Sequence, residues 1–115
     1  MNKLFKKHFM SPQNMGKIKK PSLQSKCKSG FCGDTIELFV VIDENNIIKD
    51  VKYNVFGCYA IIAAASILSE WSLGKPLDLV KNIDMRTIET IIGGRCDEGK
   101  ESCVMVAIKA FQSLK

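Results

Sequence analysis

From Thr35 to Asp43 the chain alternates with a period of two, placing Ile36, Leu38, Val40 and Ile42 on one face and Glu37, Phe39 and Val41 on the other. The polar run Asp43-Glu44-Asn45-Asn46 interrupts the pattern. It resumes from Ile47 to Phe56, with Val51, Tyr53 and Val55 set against Asp50, Lys52 and Asn54. Two alternating segments joined by a tight polar turn predict an antiparallel hairpin with one wet face and one covered face. A weaker edge strand is expected around Leu23 to Lys28, in the lysine-rich stretch that follows Pro21.

The period changes at Gly57. From Cys58 to Leu73 the apolar residues take helical spacing and are mostly small: Ala60, Ala63, Ala64 and Ala65, with Ile61, Ile62 and Leu68 supplying bulk. Gly74 is placed to end that helix, and Pro76 suits the first turn of the next. Short helices are expected over Leu77–Ile83 and Met85–Ile92, closed by Gly93-Gly94. After the polar loop "RCDEGKES", a last helix from about Ser102 carries Val104, Ala107, Ile108, Phe111 and Leu114 on one stripe. Residues 1–16 read as helical up to "SPQNMG", where Pro12, Asn14 and Gly16 punctuate the chain. The pattern predicts an α+β fold: a small antiparallel sheet of about three strands covered on one face by helices.

The 115 residues suit a single domain spanning 1–115, with residues 1–20 a basic amino-terminal segment expected to be mobile. Hydrophobic residues make up 46% and charged residues 25%, a globular balance. No run reaches the roughly 18 apolar residues of a spanning helix, so no membrane partner is expected. The start "MNKLFKKHFM" has no apolar h-region and no small-residue cleavage site, which makes the cytoplasm the expected location. The net charge of +5 is concentrated in the lysines of the first 28 residues. With only two arginines and no interleaved aromatic platform, the basic arm does not predict nucleic-acid binding.

Five cysteines, an odd number, argue against a disulfide framework in that compartment and leave buried thiols, a metal site or a reactive sulfur. Three of them fall at element boundaries. Cys32 precedes a strand, Cys58 opens the long helix and Cys103 opens the last one. A helix start carries roughly half a positive elementary charge, which predisposes Cys58 and Cys103 to be thiolates near neutral pH. Gly33 and Gly57 keep bulk away from their neighbouring sulfurs, and Asp34 can offer an oxygen ligand. A thiolate with a labile carboxylate would hold a cargo without locking it in. A purely structural zinc site is disfavoured, because a core this apolar does not need a metal to fold.

These residues resemble the scaffold family of iron–sulfur cluster assembly, of the IscU type and the NifU amino-terminal domain. "HFMSPQNMG" (residues 8–16) is similar to the family's opening motif, and "CGD" (32–34), "FGC" (56–58) and "LGKPLD" (73–78) follow in order. The resemblance implies an IscU/SufE-like fold and a carrier, not an enzyme. Its ligands would be Cys32, Asp34, Cys58 and Cys103, holding a [2Fe–2S] cluster built from iron and from sulfur supplied by a cysteine desulfurase. The same residues could hold zinc. Cys103 would be the persulfide acceptor, and apo iron–sulfur proteins the recipients, with an iron donor or ferredoxin as further partners. Monomer and homodimer both remain open.

The chain departs from the pattern in three places. Ser102 stands where the IscU type has histidine, and "GGRCDEGKESC" replaces the Leu-Pro-Pro-Val-Lys segment that docks a dedicated Hsp70 chaperone, so that partnership is not expected. The SufU branch, read as a zinc-dependent sulfurtransferase relaying persulfide, also lacks the histidine. It typically carries an insertion, for which the 44 residues between Cys58 and Cys103 leave little room. Cys96, seven residues before Cys103, is a candidate for the ligand that histidine would have provided; Cys27 is a weaker one.

Overall fold

The computed structural model describes residues 2–29 and 33–115. Helix α1 (Lys3–Met10) is followed by strands β1 (Leu23–Lys28), β2 (Thr35–Ile42) and β3 (Ile48–Phe56). Helices α2 (Tyr59–Ser72), α3 (Leu77–Lys81), α4 (Met85–Ile92) and α5 (Glu101–Gln112) complete the chain. The strands form one antiparallel sheet in the order β1-β2-β3. The hairpin, the edge strand and the covering helices are those the alternation predicts.

The turn between β2 and β3 is built by Asp43, whose Oδ1 accepts the backbone N–H groups of Asn45 (2.8 Å) and Ile47 (3.0 Å). Asn46 takes the left-handed conformation (φ 61°), which asparagine tolerates better than most residues. Those bonds, that of Ile47 foremost, lower the Asp43 pKa. The inner face of the sheet presents Ile36, Leu38, Val40, Val51 and Tyr53, all fully buried. Against it lie the alanine-rich α2 and the apolar stripe of α5. Small side chains along α2 let the helix approach closely: Ala60, Ala63, Ala64 and Ala65 expose nothing. The opposite face is less wet than expected, because Phe39, which points away from Ile36 and Leu38, is also buried.

The amino-terminal helix packs on the rest of the domain. It is basic but anchored, because it carries two residues that belong in the interior. Phe5 is fully buried, and His8 is buried against α2 with Nδ1 2.7 Å from Ser66 Oγ. The Gln13 N–H donates to the same Oγ at 2.8 Å, leaving the Ser66 hydroxyl proton for a neutral His8. Burial lowers the His8 pKa, in keeping with a neutral ring. The "SPQNMG" segment then crosses to β3, where the Gly16 N–H donates to the Tyr53 carbonyl at 2.9 Å and Asn14 Nδ2 donates to Ser69 Oγ at 3.0 Å. The motif thus straps α1 to both the sheet edge and α2.

Candidate metal centre

Strand pairing places the first part of the site. Thr35 lies opposite Phe56 at the end of the β2–β3 ladder, so Asp34 and the Gly57-Cys58 pair emerge side by side. Cys58 is the N-cap residue of α2, in extended conformation, and Cys103 is the third residue of α5, which packs against both α2 and the sheet. One ligand atom from each of Asp34, Cys58 and Cys103 lies within 4.8 Å of the others. Asp34 is 2% exposed and Cys103 5% exposed, while Cys58 is half-buried. The Cys58 thiol can donate to Asp34 Oδ2 across 4.0 Å, a long and weak bond.

Gly57 has a steric reason to be glycine. A Cβ at this position would fall 2.5 Å from Asp34 Oδ1 and 2.9 Å from Ile61 Cγ2, inside both side chains. The absence of a side chain there is what allows the carboxylate to sit against the start of α2.

The electrostatics overturn part of the thiolate expectation. The Cys103 thiol is pushed up to about 12, chiefly by burial, then by its contacts with Cys58 and Asp34. Cys103 lies in the first turn of α5, but the helix start does not offset removal from water beside two acidic groups. A metal ion reverses that balance, since a coordinating thiol is deprotonated outright by the ion's own charge. Two thiolates with a carboxylate suit zinc or iron.

The structure therefore unites Asp34, Cys58 and Cys103. Cys32 lies outside the described residues. Cys96 stays outside the group: it is 7% exposed and packed in the apolar core, and burial raises its pKa. Ser102 is exposed beside Cys103, and Cys27 is half-buried on β1 opposite Ile36.

Sequence reasoning passed over two residues at the rim. Tyr59, directly after Cys58, donates its hydroxyl to Asp97 Oδ2 at 2.5 Å. That bond is the main reason the Tyr59 pKa is pushed up to about 12 and the Asp97 pKa lowered. Lys100 Nζ lies 5.4 Å from the centre of the Tyr59 ring, and Phe9 meets the ring edge-on at 6.0 Å. Adjacency to "FGC" was the only available signal for Tyr59. Asp97 sits in a polar loop that carried none.

Residues 2–114 match the family described as the NifU-like N terminal domain. The chain belongs to that family. It is 33% identical over 88 residues to the iron-sulfur cluster assembly scaffold protein IscU of Aquifex aeolicus, an alignment covering 76% of this chain and 56% of that protein. To IscU 1 of Archaeoglobus fulgidus it is 31% identical over 105 residues, covering 91% of this chain and 67% of the relative. The chain thus spans little more than half the length of the first of these relatives. Among solved structures, FiSufU of Fervidobacterium islandicum AW-1 superposes with a TM-score of 0.75 at 20% identity, over 97% of this chain and 93% of that one. That likeness establishes the shared α+β fold of the NifU-like domain. No helix among the described residues is long and apolar enough to cross a membrane.

Proposed function

We propose that this chain is a scaffold on which a [2Fe–2S] cluster is assembled from iron and desulfurase-derived sulfur, then handed to acceptor apoproteins. The observation that carries the reading is the convergence of Asp34, Cys58 and Cys103 within 4.8 Å, in a family whose relatives are named as assembly scaffolds. Cys32, two residues before Asp34, completes the proposed donor set as a third thiolate. Thiolates are the ordinary ligands of such clusters. A carboxylate oxygen among them is a harder, poorer match for iron bridged by sulfide. It leaves one corner of the cluster easier to release, as a donor of clusters requires.

Cys103 is the proposed sulfur acceptor. Its thiolate would attack the outer sulfur of a persulfide on the desulfurase, forming a new persulfide on Cys103 and releasing the desulfurase cysteine as a thiolate. Because burial holds Cys103 protonated, the step requires a base or local opening when the partner docks. The reading places the work in the cytoplasm and makes the chain a carrier without turnover of its own.

The test is anaerobic reconstitution with ferrous iron, cysteine, a cysteine desulfurase and dithiothreitol to reduce the persulfide sulfur to sulfide, followed by visible absorption and transfer to an apo-ferredoxin. A cluster that forms on the wild type, transfers, and is lost in Cys58→Ser and Cys103→Ser is the expected result. A cluster that survives both substitutions would overturn the assignment. Zinc that iron cannot displace, combined with stimulation of the desulfurase, would point instead to a sulfurtransferase relay.

A further inference from the structure

We infer that Asp97 and Tyr59 form a brace that fixes Cys58 and Cys103 relative to one another and keeps the 93–100 loop closed beside them. This rests on the metal-site reading above and adds two residues to it as positioning residues, not ligands.

The hydrogen bonds define the brace. Asp97 spends both carboxylate oxygens on protein groups: Oδ1 accepts the Asn2 backbone N–H at 3.1 Å and Oδ2 accepts the Tyr59 hydroxyl at 2.5 Å. A carboxylate so engaged is not waiting for a metal. Asn2 is the N-cap of α1, its side chain accepting from Leu4 N at 2.8 Å and donating to the Ile92 carbonyl at 3.5 Å. Tyr59 is the first residue of α2 and follows Cys58 directly. Lys100, whose ammonium lies over the Tyr59 ring, is the N-cap of α5 and accepts from Val104 N at 3.1 Å, within the turn that holds Cys103. One tyrosine therefore links the helix start that carries Cys58, the helix start that carries Cys103 and the loop between α4 and α5.

The loop needs such a link. It is bounded by Gly93 and Gly99, both at positive φ (72° and 82°), and its exposed polar residues have little else to hold them. Among the described residues its other attachments are the bonds from Gly93 N and Gly94 N to the Glu89 carbonyl, one from Lys100 N to the Asp97 carbonyl, and the burial of Cys96 in the core. A segment with so few attachments opens at low free-energy cost. The charge-assisted bond from Tyr59 to Asp97 opposes that opening. Partners that orient metal ligands are commonly worth one to two orders of magnitude in affinity.

The experiment uses Tyr59→Phe, which keeps the ring under Lys100 and removes only the donor, Asp97→Asn, and the double variant. In metal-free protein, iodoacetamide labelling of Cys103 is followed by mass spectrometry. Each single variant is expected to label about tenfold faster, matching loss of one charge-assisted bond, and the double variant no faster than either single. Titration with cobalt(II) is expected to give about tenfold weaker binding and displaced thiolate-to-cobalt absorption bands in both variants. Unchanged labelling and an unchanged cobalt spectrum in Tyr59→Phe would overturn the brace, and so would multiplying effects in the double variant. If one variant does not fold, the other decides by the same readouts. A wild type that binds no cobalt would sink the metal-site reading, while the labelling of metal-free protein would still decide the brace.

Discussion

Gly57→Ala tests the geometry of the site without touching a ligand. The added methyl would lie 2.5 Å from Asp34 Oδ1, 2.7 Å from its Cγ and 2.9 Å from Ile61 Cγ2. Against an ordinary carbon contact of about 3.5 Å, Ile61 must yield about 0.6 Å and Asp34 nearly 1 Å. Neither has room, since Ile61 is fully buried and Asp34 is 2% exposed. Overpacking of this kind costs about 1–3 kcal/mol, and because alanine is also strained at the φ of 159° that Gly57 adopts, the reduced freedom of the unfolded chain gives no net return. A net loss of about 1–3 kcal/mol is expected in urea unfolding of the metal-free protein, with an unchanged m-value. The decisive comparison is the same substitution in an Asp34→Ala background. With the carboxylate gone the worst contacts vanish and only the Ile61 contact and the backbone strain remain, so the cost of Gly57→Ala should fall. Strict additivity of the two substitutions would show that Asp34 does not sit against Gly57, and the reasoning about the site would fail with it.

Tyr53 Oη is buried with no hydrogen-bond partner among the described residues, so Tyr53→Phe should raise stability by about 1 kcal/mol; a loss on urea unfolding would reveal a bond to Ser66. His8 has its pKa lowered by burial from 6.5, so the folded state holds fewer protons than the unfolded one. Its contribution is complete above 6.5 and drains away as the pH falls through the lower folded value. His8→Asn should flatten the stability profile between neutral pH and pH 5, and a profile as steep as that of the wild type would refute the assignment. Because Cys103 is protonated at neutral pH, zinc must displace its proton. The logarithm of the zinc affinity should therefore rise by about one or more per pH unit between 6 and 8, and a flat profile from competition titrations would contradict a Cys103 ligand.

Much of the fold was legible because its signals are local. The edge strand at Leu23–Lys28, the hairpin around Asp43 and helix α4 at Met85–Ile92 lie where alternation, turn residues and glycine breaks put them. Each depends on neighbours within a few positions. The docking of α1 was hidden by its composition. Lysines at 3, 6 and 7 read as a solvated arm, whereas Phe5 and His8, three residues apart, form the buried stripe. Helix α3, expected to reach Ile83, stops at Lys81 because the Asn82 N–H bonds back to the Leu79 carbonyl and ends the turn.

The site divides along the same line. Glycine beside cysteine and carboxylate marked Asp34 and Cys58 as neighbours of a bound group, and Gly57 is the contact that makes them neighbours of each other. The protonation state of Cys103 was not legible. A helix start can be read from a sequence, but the depth at which α5 is covered cannot, and burial beside Cys58 and Asp34 outweighs the dipole. The pairing of Tyr59 with Asp97 spans 38 positions and rests on how the α4–α5 loop folds back. What a local pattern supplies is the set of groups able to do the chemistry. What long-range packing supplies is their spacing and their resting charge. In this chain the second determines how tightly the metal-free site holds its protons, and therefore how much the arriving metal must displace.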